Sequence, residues 1–182
     1  MDAIAEITSY AEYAAFGDRL RTLGLVEDTS EGAPLCRWVH QGTILDVMPL
    51  DEKILGFSNR WYRAAMEAAM RQRLADELEI RMITAPFFVA TKLEAFKGRG
   101  KGDLFGSRDL EDLVSVTDGP ATLVTEVQAE TAKLRSYIRT EINSLLATPG
   151  FIDALPGYLL PDAASQARMS IVLRRFEQLA SL

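Results

Sequence analysis

An α+β fold is predicted: a small mixed sheet with helices, followed by a helical C-terminal half. Three observations predict it. Short segments rich in strand formers crowd the first half, around Ala3–Ile7, 35–50 and 78–82. Apolar residues at helical spacing dominate everything after residue 84. The order is strands and then helices, not the regular alternation of a parallel α/β sheet.

Ala3–Ile7 reads as a strand close to the start of the chain. Ser9-Tyr10-Ala11-Glu12 is a capping box, in which the serine and glutamate satisfy amides that a helix start leaves unpaired. The helix it opens carries Tyr13, Phe16, Leu20 and Leu23 on one stripe and ends at Gly24. Residues 27–33 are polar and read as a loop. Leu35–His40 and Thr43–Leu50 then form a hairpin around Gln41-Gly42. Asn59–Met70 reads as an amphipathic helix with Trp61, Ala65 and Ala69 inward. Leu78, Ile80 and Met82 alternate with polar neighbours, the pattern of a half-buried strand.

From Thr84 the period changes. Pro86 sits near a helix start, where its missing amide costs nothing, and Val89, Leu93 and Phe96 make the stripe. Lys97-Gly98-Arg99-Gly100-Lys101-Gly102 is expected to break regular structure. Ser107 caps a helix to about Thr117. After Gly119-Pro120 one long helix is expected, with Leu123, Val127, Leu134, Ile138, Ile142 and Leu145 in register. An apolar link broken by prolines covers 149–161, and a last helix carries Ile171, Phe176 and Leu179. The predicted division is an α/β part over 1–84 and a helical part over 85–182.

Composition narrows the function. The 182 residues are 48% hydrophobic and 25% charged, which is globular rather than disordered. The net charge of −6 argues against a broadly basic nucleic-acid surface, so any such substrate would be held locally by a few cations. Cys36 and His40 are the sole cysteine and histidine, too few for a disulfide framework or a zinc site, and His40 beside Trp38 in a strand reads as structural. No basic leader and no membrane-length apolar run are present, so the expected setting is cytoplasmic, with no membrane contact.

A few charged residues stand out. Asp46 interrupts Ile44-Leu45-Asp46-Val47-Met48 and must be solvated, paired or metal-bound, because a bare buried carboxylate is costly. Asp2 leads into another strand, and two carboxylates on neighbouring strands suit Mg²⁺, a hard cation that prefers oxygen. Asp109, Glu111 and Asp112 crowd a helix start, where acids complement the dipole. Lys92, Arg99, Lys101 and Arg108 lie close by in sequence, and together these groups could serve a polyphosphate or form a solvated charged surface.

The run Ala85-Pro86-Phe87-Phe88-Val89-Ala90-Thr91-Lys92-Leu93-Glu94-Ala95-Phe96, then Arg99, then Arg108-Asp109-Leu110-Glu111-Asp112-Leu113, resembles the AbiEii/AbiGii-type nucleotidyltransferases, a branch of the polymerase-β-like superfamily. Members carry a lysine on a helix, an arginine in a loop, and a Lys-Asp-x-x-Asp-Leu motif. Arg108 stands here in place of that last lysine, which keeps the charge but not the geometry. The family also has a Gly-Gly or Gly-Ser turn, an Asp-x-Asp pair on a strand, and a third acid on a later strand. Asp46 suits the third acid and Asp2 the second member of the pair. The first aspartate and the turn are not in this sequence, so the resemblance covers about residues 1–118 and describes an N-terminally incomplete sheet. The residue between the paired aspartates is often valine or isoleucine. A valine codon read as a start gives methionine, so Met1 is expected to mark a start assigned too late.

The resemblance implies transfer of a nucleotidyl group from an NTP to a hydroxyl of a tRNA acceptor end or of a partner protein, within a toxin–antitoxin or phage-defence system. In it, Asp2 and Asp46 would hold Mg²⁺, Lys92, Arg99 and Arg108 would contact phosphates, and Asp109 and Asp112 would position them or the acceptor. The competing expectation is a catalytically inactive fold that binds a partner or forms homo-oligomers.

Overall fold

The computed structural model describes residues 1–99 and 102–182, and the chain divides into two compact units, Met1–Glu67 and Ala68–Leu182. The first unit is built on a four-stranded mixed sheet. Its strands are β1 (Asp2–Ala5), β2 (Val26–Glu27), β3 (Arg37–His40) and β4 (Thr43–Pro49), in the order β1-β4-β3-β2. β1 runs parallel to β4, and the other pairs are antiparallel. The expected hairpin is β3–β4, closed by Gln41 and Gly42, both at positive φ (47° and 79°). Two positive-φ residues match the right-handed strand twist, and they fix which residues face each other.

Helix α1 (Tyr10–Thr22) follows β1, and its N-cap Ser9 accepts from the Glu12 amide as the capping box predicts. The Glu12 carboxylate reaches back to the amide and hydroxyl of Thr8. Inside this unit, Ile7, Leu20, Trp38, Val47 and Ile54 form the core, with Tyr13 and Phe16 packed against it. Leu23, expected on the buried stripe, is 69% exposed at the C-cap, where the helix has ended and the face no longer turns inward. Gly17 lies over Trp38: a Cβ there would come within 3.2 Å of the indole ring. The His40 Nδ1 atom is 2.8 Å from the Gly24 carbonyl, tying the end of α1 to the sheet as a structural histidine would. A short helix α2 (Glu52–Leu55) and then α3 (Tyr62–Glu67) complete the unit. Trp61 and Ala65 are buried as expected, but the helix is shorter than Asn59–Met70. The Asn59 side chain accepts from the Trp61 amide, making a turn before α3 begins.

The second unit opens with an unexpected element. Met70 is not helical but starts β5 (Met70–Ala75), which pairs with β6 (Leu78–Met82) in a two-stranded ribbon. Leu78, Ile80 and Met82 were expected half-buried; every residue of both strands is exposed. Alternation placed these residues on one face correctly, but among the described residues of this unit that face is left exposed.

Among the described residues seven α-helices follow: α4 (Ala85–Arg99), α5 (Arg108–Asp118), α6 (Leu123–Ala129), α7 (Ala132–Leu146), α8 (Phe151–Ala154), α9 (Ala163–Ala167) and α10 (Met169–Ala180). The expected break at 97–102 begins later, because α4 continues through Lys97, Gly98 and Arg99. Lys101 lies outside the described residues. The single long helix expected after Pro120 is two, α6 and α7, separated at Glu130 and restarted by Thr131, whose hydroxyl accepts from the Leu134 amide. The link at 149–161 folds into α8 and a 3₁₀ turn over Leu155–Tyr158, with Phe151 and Leu155 fully buried.

Leu110, Leu113, Leu134, Ile138, Ile142, Val172, Phe176 and Leu179 are buried together at helical spacing, where α4 meets α5 and α7, and α10 meets α5 and α7. Phe151 and Phe176 meet edge to face, with centroids 5.6 Å apart. At the C-terminus of α5, Arg168 grips the Asp118 carboxylate and Arg175 donates to the Thr117 and Asp118 carbonyls, cations where the helix dipole favours them.

Two substitutions test this packing. Gly17→Val should lower stability by about 2 kcal/mol, because the larger side chain overpacks against Trp38. Ile138→Ala should cost roughly 3 kcal/mol by leaving a cavity among the helices. Urea unfolding of each variant measures both, and an unchanged midpoint for Gly17→Val would contradict the close approach of α1 to Trp38.

Candidate functional site

Two clusters of charge contain all but one of the site residues expected from sequence, and each lies within one unit. In the first unit the cluster is a row across three strands. The β1–β4 register sets Asp2 opposite Asp46, and the β3–β4 register sets Arg37 opposite Asp46. Directly paired residues share a face, so Asp2, Asp46 and Arg37 lie side by side on one face of the sheet. The sequence left Asp46 solvated, paired or metal-bound. β4 is an inner strand, flanked by β1 and β3, and the Asp46 side chain is only 13% exposed.

Its carboxylate is satisfied by Arg37. Arg37 Nε donates to Oδ1 and Nη2 to Oδ2, each at 2.8 Å, the bidentate fork that matches guanidinium to carboxylate. The bond to Asp46 raises the Arg37 pKa further above its already high ordinary value. Arg37 was missed in the sequence, although a signal existed. With a two-residue turn at Gln41-Gly42, His40 must face Thr43, and counting outward brings Arg37 opposite Asp46. The Asp46 amide donates to the Met1 carbonyl and the Met1 ammonium to the Ile44 carbonyl, which binds the first residues to β4. Cys36, next in the chain, is buried, and burial and the nearby Asp46 push its thiol pKa up.

In the second unit the cluster joins α4 to α5. Lys92 and Arg99 are seven residues apart on α4, close to two turns, and so share a face. Asp109 and Asp112, three apart on α5, do the same. Arg99 Nε and Nη2 donate to the two Asp109 oxygens at 2.9 and 2.8 Å. Lys92 Nζ lies 2.5 Å from Asp112 and 3.7 Å from Asp109, and 5.5 Å from the Phe88 ring. Asp109 is only 5% exposed, while its partner Arg99 keeps 58% of its side chain in solvent. Lys92 is 12% exposed and Asp112 44%. Two cations and two anions make the group neutral. Arg99, expected in a loop, sits in the last turn of α4. Arg108, which stands where the family has a lysine, is exposed on the first turn of α5.

Among the described residues, no group of three or more His, Cys, Asp or Glu is arranged to hold a metal ion. Two carboxylates remain a sufficient protein contribution for Mg²⁺, which takes one or two from a protein and completes its shell with water and substrate phosphates. Asp2 and Asp46 fit that donor chemistry, with Arg37 as the competitor for Asp46. Among the described residues, no helix is long and apolar enough to cross a membrane. Comparison with protein-family models, with curated proteins and with solved structures returned no match.

Three outcomes follow from this geometry. Asp109→Asn should destabilise by about 3 kcal/mol, because at a position only 5% exposed the amide can no longer accept from both nitrogens of the Arg99 fork. Asp112→Asn, at a more exposed position, should cost under about 1 kcal/mol. Chemical denaturation separates the two, and equal losses would contradict the central place of Asp109. Cys36 should resist thiol reagents in the folded protein and react only after unfolding, since its thiolate is disfavoured by burial and by Asp46.

Proposed function

We propose that the chain is a nucleotidyltransferase of the AbiEii/AbiGii type, transferring a nucleotidyl group from an NTP to a hydroxyl of a tRNA or a partner protein, in a toxin–antitoxin or phage-defence system. The observation that carries the proposal is the register of β1 on β4, which aligns Asp2 with Asp46 on one face of adjacent parallel strands. The motif resemblance over residues 85–113 supports the same reading.

Asp2 and Asp46 would hold Mg²⁺, which when bound neutralises phosphate charge and helps to activate the attacking oxygen. Asp46 has to exchange its Arg37 contact for that role. The freed guanidinium, held beside the same face by β3, is then a bidentate donor available to a phosphate. In the second unit, Lys92 and Arg99 are assigned to phosphates and Asp109 and Asp112 to orienting them. There too the cations must release carboxylates, and Arg99, the more exposed, is the readier to do so.

A second reading has its own observation. The bidentate Arg37–Asp46 pair satisfies both carboxylate oxygens, as a structural ion pair in an inactive binding module would.

Thermal unfolding with each NTP, with and without Mg²⁺, separates the readings, because a ligand that binds only the folded state raises its midpoint. On the enzymatic reading, an NTP stabilises the protein only with Mg²⁺, Asp46→Asn abolishes the shift, and Arg37→Gln enlarges the response to Mg²⁺ alone. On the structural reading, Arg37→Gln lowers the midpoint equally with and without the ion, and no NTP produces a Mg²⁺-dependent shift.

A further inference from the structure

The β5–β6 ribbon has two faces of opposite character. Met70 faces Met82, Gln72 faces Ile80 and Ala75 faces Leu78, while Arg71 faces Arg81 and Arg73 faces Glu79. One face is therefore almost wholly apolar and the other charged. Met82 and Leu78 are each 52% exposed and Met70 66%. A two-stranded ribbon is marginal in water, and a third or fourth strand is the usual remedy. Both outer edges of this one are unpaired within its sheet.

The charges distinguish the two edges. We propose that β6 pairs antiparallel with β6 of a second copy of this chain, about a two-fold axis through Ile80, giving a four-stranded sheet in the order β5-β6-β6′-β5′. In that register Ile80 meets its own copy, Leu78 meets Met82 on both sides of the axis, and Glu79 meets Arg81 twice. Each apolar residue lies beside an apolar one, and each charge lies beside its opposite. Shifting the axis to Glu79 or Arg81 sets like charges on the axis itself. The β5 edge offers no equivalent: axes on Gln72 or Arg73, the registers that keep its faces continuous, bring arginine against arginine. Inside each ribbon Arg71 Nη1 donates to Glu79 at 3.0 Å, and in the dimer Glu79 also lies beside the partner's Arg81.

The pairing is isologous, so it closes as a dimer and leaves the arginine-bearing β5 edges outermost, where charge discourages further strand addition. It does not depend on nucleotidyl transfer, and its test reads association alone.

Sedimentation velocity of the full chain from low micromolar to near-millimolar concentration is the experiment. Wild type should be dimeric in this range. Glu79→Arg and Arg81→Glu, with far-UV dichroism confirming the fold, should each weaken dimerisation at least tenfold. An equimolar mixture of the two variants should dimerise, because one edge is then all basic and the other all acidic. The double variant Glu79→Arg/Arg81→Glu should dimerise as well, since exchanging the charges preserves their complementarity. Ile80→Cys should form a disulfide dimer on mild oxidation, because facing Cα atoms in an antiparallel pair lie about 4.5–5.5 Å apart, within disulfide range. Wild type that stays monomeric, single variants that dimerise as wild type does, or a mixture that stays monomeric would each overturn the proposal.

Discussion

A carboxylate withdrawn from water has to find a cation or a set of amides, and both units of this protein are organised around that constraint. Asp46 sits on an inner strand and Asp109 under the crossing of two helices, and each is held by both nitrogens of an arginine fork. The pairs also fix geometry. Arg37 and Asp46 hold β3 and β4 in register, and Arg99 and Asp109 set the mutual rotation of α4 and α5. Removing either member would strand a charge rather than merely delete a contact, so these positions tolerate substitution poorly whatever their role.

The same pairs lie where the nucleotidyltransferase resemblance places chemistry. Arg37 offsets the charge of Asp46, and the carboxylates of Asp109 and Asp112 offset those of Lys92 and Arg99. The difference in exposure within the second cluster is informative: Arg99 and Asp112 face solvent, whereas Asp109 and Lys92 do not. Exchange with a ligand would begin at the exposed members and leave the buried pair as the scaffold.

The β5–β6 ribbon follows a different principle. Its cross-strand pairs sort apolar from charged residues as cleanly as a sheet that has a core, yet every residue of both strands is exposed. In the proposed dimer, the opposite charges of Glu79 and Arg81 are what fit the edge of β6 to a copy of itself.

The sequence by itself determined the periodic parts of the fold. Leu134, Ile138 and Ile142 recur every fourth residue, Ser9 and Glu12 announce a helix start, and Gln41-Gly42 announces a tight turn, since each signal lies within a few residues and its physics is local. It also singled out Asp46 as an acid needing a partner, and Lys92, Arg99, Asp109 and Asp112 as a charged set that the fold brings together. What it left open depended on neighbours remote in the chain. Over 70–75 the ribbon carries Met, Arg, Gln, Leu and Ala, residues content in helices, so propensity gave no sign of β5, although alternation marked Leu78, Ile80 and Met82 as a strand. Its exposure could not be read from alternation, which reports which residues share a face but not what covers that face. The alignment of Asp2 with Asp46 and the bidentate capture of Asp109 were decided by tertiary structure alone. Strand register across a crossover, and the rotation of one helix against another, are set by the whole core they enclose.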